Sequence, residues 1–198
     1  MQAPYNTQQS QLANFWKGEI AYRNGNTDNA IFYFNNYLLK PQTNGEVNLN
    51  NAKYNFAYCL LKKENYKDAL TNFEQVANNV TSSSSAMEQD AYLRSADCYF
   101  MQKYFTNALK VYDDVIYKNF KSADYATYQK AVIAGALGKQ TDKIYLLQSL
   151  PKQYPSSTFA GEALMEIANT YIAAEDYEKA IFTLQDLVKN KAATQLNH

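Results

Sequence analysis

Hydrophobic positions along this chain recur in one register. From Asp28 to Leu39, Ala30, Ile31, Phe34 and Leu38 fall on one helical face between polar residues, the spacing of a helix that buries a single stripe. The stripe returns as Ala69, Leu70, Phe73 and Val76, then as Ala108, Leu109, Tyr112, Val115 and Ile116, and last as Ala180, Ile181, Leu184 and Leu187. About twelve positions before each anchoring Ala stands a small residue inside another helical pattern, which includes Tyr54, Phe56, Ala57, Leu60 and Leu61, or Tyr92, Ala96 and Tyr99, or Leu164, Ala168 and Tyr171. With Ala30, Ala69, Ala108, Lys143 and Ala180 as anchors the spacings are 39, 39, 35 and 37 residues. A period of that size across nearly the whole chain marks a helical solenoid. The pattern predicts about ten helices in five antiparallel pairs, over residues 10–41, 48–79, 87–120, 123–155 and 158–190, forming one all-α domain across 1–198. Each pair touches only its neighbours.

The fourth pair departs from the pattern. Ala131, Ala134, Gly138, Ile144, Leu147 and Leu150 keep the frame, but Lys143 replaces Ala. A Lys stem can lie along apolar surface with its head in water, so the frame survives. Pro151 is expected to end that helix early, because an interior proline costs about 3 kcal/mol. Gly18 is expected where two helices approach closely, and Gly25 and Glu64-Asn65 break the helical runs. Linkers fall at Pro41–Asn50, Asn78–Ala86 and Tyr154–Ser157, and the polar run Thr81 to Ser85 reads as a flexible loop. Asn79-Val80-Thr81 fits a glycosylation sequon, a three-residue motif of little weight alone. Cys59 and Cys98 lie one period apart, at equivalent positions on successive first helices. Packed helix axes are about 8–10 Å apart, beyond the roughly 7 Å Cα separation a disulfide tolerates, so both are expected as free buried thiols.

Composition narrows the function more by exclusion than by assertion. The 19 basic and 19 acidic residues balance, which removes the basic field that a nucleic-acid partner needs. No stretch approaches the ~20 apolar residues of a membrane span. Met1-Gln2-Ala3-Pro4-Tyr5 has neither a basic nor an apolar leader segment, as expected of a cytoplasmic chain or of one whose export signal has been removed. His198 is the one histidine, so triad and His-ligated metal chemistry have no partner residues nearby. No glycine-rich phosphate loop is present. Asp113 and Asp114 are adjacent on a helix and so point to different sides, while Glu162–Glu166 and Asp90–Asp97 read as solvent-facing. No enzymatic activity, cofactor or metal is expected. Tyrosine is the outlier, 18 of 198 residues; its apolar body and polar tip suit both repeat packing and a contact face.

Asn65-Tyr66-Lys67-Asp68-Ala69-Leu70-Thr71-Asn72-Phe73, Lys103-Tyr104-Phe105-Thr106-Asn107-Ala108-Leu109-Lys110-Val111-Tyr112 and Glu175-Asp176-Tyr177-Glu178-Lys179-Ala180-Ile181 resemble the second-helix segment of the tetratricopeptide repeat. The resemblance covers residues 10 to 190 and implies a right-handed superhelix. The chain departs from the family by lacking the Leu-Gly pair in four repeats, by repeats longer than the usual length, and by leaving Tyr5–Ser10 unassigned. The linker Tyr154-Pro155-Ser156-Ser157-Thr158-Phe159-Ala160 is similar to linkers of envelope-associated bacterial members, among them outer-membrane assembly lipoproteins and periplasmic cell-division coordinators. In this family first helices line a concave surface. The resemblance places Phe15, Glu19, Tyr22 and Arg23 there, then Tyr54, Tyr58, Leu61 and Lys62, then Leu93, Asp97, Phe100 and Met101, then Tyr128 and Val132, and finally Met165, Asn169 and Ile172. Members that clamp a carboxylate carry Lys and Asn where this chain has Phe15, Glu19, Tyr54 and Tyr58, so no such clamp is implied. The implied function is a protein-interaction scaffold that grips a peptide or protein segment, with Tyr54, Tyr58 and Phe100 as anchors. The alternatives are a glycan-binding module of the cell envelope and a passive segment of a longer solenoid. Lys189 to His198 are too few and too polar to build a capping helix after Leu187, so self-association through the C-terminal repeat is expected, or a truncated end.

Overall fold

The computed structural model describes residues 7–195, with side chains from 8 to 189. His198 and Met1 to Tyr5, read above from the sequence, lie outside the described residues. Within them the chain forms ten helices: α1 Thr7–Arg23, α2 Thr27–Leu39, α3 Leu49–Lys62, α4 Tyr66–Val76, α5 Ala86–Met101, α6 Phe105–Tyr117, α7 Ala123–Ala136, α8 Gln140–Gln153, α9 Ala160–Ala173 and α10 Tyr177–Gln195. No strand interrupts them among the described residues; one isolated bridge, Asn44 to Val47, closes the α2–α3 loop. The fold is all-α, built from five consecutive helix pairs as the periodicity predicts.

The same turn closes every pair. Three residues separate the two helices each time, and the middle one is left-handed: Gly25 (φ 75°), Glu64 (60°), Lys103 (63°), Gly138 (74°) and Glu175 (58°). The residue after it donates its N–H five residues back. Asn26 reaches the Ala21 carbonyl at 2.8 Å, Asn65 Leu60 at 3.0 Å, Tyr104 Tyr99 at 2.9 Å, Lys139 Ala134 at 2.8 Å, and Asp176 Tyr171 at 2.9 Å. This is a Schellman ending, which satisfies carbonyls the helix leaves open. In three pairs that same residue caps the next helix: the side chains of Asn26, Asn65 and Asp176 accept the N–H three residues on.

Packing follows the anchors. Twelve positions before them, Gly18, Ala57, Ala96, Ala131 and Ala168 are all buried. A Cβ on Gly18 would stand 2.8 Å from the Phe34 ring, so α1 and α2 meet closely there, as expected. Phe34, Phe73, Tyr112 and Leu147 fill the position four after the anchor, each almost wholly buried. Cys59 and Cys98 are free and buried at equivalent places.

The chain divides into two compact units, one reaching to Val111 and the other beginning at Tyr112. In the first, α2 packs on α3 and α4 on α5. In the second, α8 packs on α9, around a cluster of Ala131, Leu147, Leu150, Ala163 and Ile167.

Three expectations are corrected. Pro151 does not end α8, which runs on to Gln153. It sits exposed in the last turn, where Tyr154 N–H still closes on the Leu150 carbonyl at 2.8 Å. The Lys143 head is not in water: its stem lies over Gly135, and its Nζ donates to Glu166 at 2.7 Å with 14% of the side chain exposed. The Thr81–Ser85 run is a hydrogen-bonded turn, in which Ser84 N–H reaches the Thr81 carbonyl and Ser85 with Glu88 forms a capping box for α5.

Candidate protein-contact surface

In the first unit the first helices α1, α3 and α5 are stitched together by polar and aromatic side chains. Glu19 on α1 accepts from Asn55 on α3 at 2.6 Å and from Arg23 at 2.8 Å. Lys62 on α3 sits 5.3 Å above the Tyr22 ring, a cation–π contact. Farther along, Tyr54 and Tyr58 donate to the same Asp90 oxygen on α5 at 2.7 and 2.5 Å. Arg94 donates to the Tyr58 hydroxyl at 3.0 Å, to Asp90 at 3.3 Å and to Asp97 at 2.6 Å. Asp90 and Asp97 are therefore not the free solvent-facing carboxylates that their spacing suggests. Glu166 is paired with Lys143 in the same way.

This network changes the tyrosines. Burial first, then donation to Asp90, pushes the Tyr54 hydroxyl up to about 12, and the same causes raise Tyr58 further. Both rings are also engaged: Tyr54 and Tyr58 meet edge-on at 5.0 Å, and Tyr58 meets Phe73 at 5.3 Å. The two residues hold one repeat to the next and offer a partner only part of their rings.

Helical register explains which expected residues are reachable. Those seven positions before the anchor, Arg23, Lys62 and Met101, are exposed, while those eleven before, Glu19, Tyr58 and Asp97, are half-buried. Tyr22, Leu61 and Phe100, eight before, are half-buried too, with Phe100 tilted against Phe105 at 5.9 Å. Fifteen before, the face turns inward. Phe15 and Leu93 are 3% and 1% exposed and drop out of the contact set, while the longer Tyr54 extends its hydroxyl from that position. Phe15 instead packs edge-on against Tyr37 and Phe34. It also floors a hollow of about 270 Å³ walled by Trp16, Glu19, Arg23, Glu46, Tyr54 and Met87.

The second unit presents its residues separately. Tyr128 stacks on Phe159 at 5.5 Å, and Asn169, Met165 and Ile172 are exposed. Ser157 donates to Asp124 at 2.7 Å and caps Phe159 N–H, so the linker that resembles envelope members has local contacts of its own. A larger groove, about 860 Å³, runs between α8, α9 and α10 over Leu147, Ala163, Ile167, Tyr171 and Phe182. Sequence reasoning passed over this groove, and also Trp16 and Arg94. Arg94 was findable, since it stands four residues after Asp90 and three before Asp97 on one helix.

Burial raises both thiols, Cys59 and Cys98, to about 12, which suppresses the nucleophilic thiolate. Among the described residues no group of His, Cys, Asp and Glu could hold a metal ion, and no helix is long and apolar enough to cross a membrane.

Two family models, both described as tetratricopeptide repeat, match the chain, one over residues 54–124 and the other over 125–157 and 162–190. Together they take in about two thirds of its length. No curated protein sequence matches significantly. Among solved structures, a crystal structure of MamA protein is similar with a TM-score of 0.70 at 15% identity, covering 93% of each chain. MamA from Desulfovibrio magneticus RS-1 is similar with a TM-score of 0.70 at 14% identity, covering 93% of this chain and 96% of that one. At such identities the likeness is one of fold.

Proposed function

This chain belongs to the tetratricopeptide repeat family, and from that premise we propose that it is a non-enzymatic scaffold whose first-helix face captures a protein or peptide segment. The family fold is that of a protein-interaction scaffold. The observation that carries the finer reading is the strip across α1, α3 and α5. There Trp16, Arg23, Lys62, Phe100 and Met101 stand exposed or half-exposed on a base made rigid by the Glu19–Asn55 and Tyr58–Asp90–Arg94 bonds. A pre-ordered face loses less entropy on binding, and Trp, Tyr and Arg are the residue types that dominate interface energy. Because Tyr54 and Tyr58 are committed to Asp90, the anchoring role moves to Trp16, Arg23 and Phe100. Leu61, Asp97 and Tyr22 frame them, with Tyr128 and Asn169 as further contacts in the second unit. Tyr54 and Tyr58 spend their hydroxyls on Asp90 and meet edge-on, which favours a protein partner over a glycan. Balanced charge favours it over nucleic acid. Self-association through the C-terminal repeat belongs to the same proposal, supported by exposed Ile181 and Val188 on α10.

The test is capture from native extract by the full chain and by a Trp16→Ala, Arg23→Ala, Met101→Ala variant. All three positions are exposed, so the variant keeps its fold by circular dichroism. A protein held by the wild type and lost by the variant is the expected result. Equal recovery of every protein by both chains contradicts the assigned face.

A further inference from the structure

The helices at the two ends of the described chain expose residues at positions that internal helices largely bury. Where a following repeat exists, second helices hide wholly or in part the residues one and four positions after the anchor and, except at the exposed Pro151, the residue eight after it. Ile31, Leu70, Leu109 and Ile144 are half-buried, and Phe34, Phe73, Tyr112 and Leu147 are buried. On α10 the same positions are Ile181, 56% exposed, Leu184, only half-buried, and Val188, 67% exposed. First helices show the converse. Seventeen before the anchor, Ala52, Ala91, Ala126 and Ala163 are buried, and ten before it Cys59, Cys98 and Ile133 are fully buried. On α1 these positions are Ala13, exposed, and Ile20, 58% exposed.

We propose that the α10 face of one copy docks on the α1 face of a second copy, head to tail. The contact would reproduce the interface that α2 makes with α3, α4 with α5, and α8 with α9. It rests on the self-association proposed above and names the receiving surface. The occupant follows from register: α1 offers Ala13 and Ile20 at the two positions where internal first helices bury an Ala and a Cys, Ile or Thr. Charge supplies a probe of the contact. Lys130, at the register of Lys17, pairs with Asp113 on α6, five after its anchor. The corresponding residue on α10 is Gln185, which is exposed, so Lys17 of the second copy comes to face an uncharged acceptor. Lys17 itself lies 5.5 Å over the Tyr33 ring. A head-to-tail contact uses two different faces, so association continues past a dimer unless a ring closes.

Sedimentation velocity of the full chain tests this. The wild type is expected to sediment faster as concentration rises from micromolar towards millimolar. Ile20→Asp and Val188→Asp, both at exposed positions, each weaken association at least about tenfold, because a charge would be buried unpaired. Mixed in equal amounts, they form a heterodimer that grows no further, since each variant keeps the face the other lost. Gln185→Glu tightens association roughly 2- to 5-fold, in line with one exposed ion pair, and added salt removes that gain. A wild type that stays monomeric overturns both this contact and self-association itself. An Ile20→Asp chain that associates like the wild type overturns only the α1 assignment.

Discussion

Tyr58 carries more interactions than any neighbour on its helix: its hydroxyl donates to Asp90, accepts from Arg94, and its ring abuts Tyr54 and Phe73. Tyr58→Phe removes only the oxygen, leaving Asp90 and Arg94 short of one partner each, and should cost about 1–2 kcal/mol in urea unfolding. A change within error would show the network to be solvated. The same hydroxyls set an alkaline limit. Folding raises Tyr54 from its ordinary value of 10 to about 12, so its contribution is intact below pH 10 and lost as pH climbs through 12. Stability measured by urea titration should fall across that window, and fall less in a Tyr54→Phe, Tyr58→Phe chain. Tyr99, raised to about 12 by its bond to Glu74, remains to titrate in both. Resemblance to the family implied a groove position for these tyrosines, because their helix and register were legible. Their hydroxyl partners were not, since Asp90 lies on a different helix and pairing across helices depends on side-chain rotamers.

At the scale of the element, the three-residue turn was only half legible. Gly25 signalled a break, but Glu64, Lys103 and Glu175 adopt the same left-handed backbone without glycine. A non-glycine residue there costs about 1–2 kcal/mol, partly offset by the unfolded-chain entropy that glycine adds. Lys103→Gly should therefore leave the thermal midpoint unchanged or slightly raised, while Gly138→Ala should lower stability by about 1 kcal/mol or more. Equal losses for both would refute the turn assignment. The fourth pair shows a compensated exchange. Eight residues before the anchor the other repeats carry Tyr22, Leu61, Phe100 and Ile172, whereas this one carries Gly135 against the long Lys143. A Cβ on Gly135 would stand 3.0 Å from Lys143 Cδ. Gly135→Leu and Lys143→Ala should each destabilise, and the double variant should recover at least about 1 kcal/mol of their sum. The substitution at Lys143 was visible in the sequence; its counterpart at Gly135 was not, because glycine in a helix pattern reads first as a defect. Pro151 misled for a related reason: proline's cost is that of a helix interior, and α8 ends within a turn of it.

Across the whole molecule, the five-fold recurrence of anchors, small residues and turns made the helix pairs legible from end to end. It reached even α1 and α2, which precede the residues matched by the family models. Of the residues that the family resemblance placed on the expected face, Arg23, Lys62 and Met101 are exposed and Phe15 and Leu93 are buried. The partner is not legible, because a rigid scaffold encodes the shape of its surface rather than what meets it. The central claim is that this surface is the first-helix face. A photo-crosslinking amino acid placed singly at Trp16, Lys62 or Met101, and for contrast at Phe32, Tyr145 or Phe182 on second helices, tests it most directly in native extract. The account predicts one common adduct from the first three positions and none from the last three. Adducts only from the second-helix positions would contradict it.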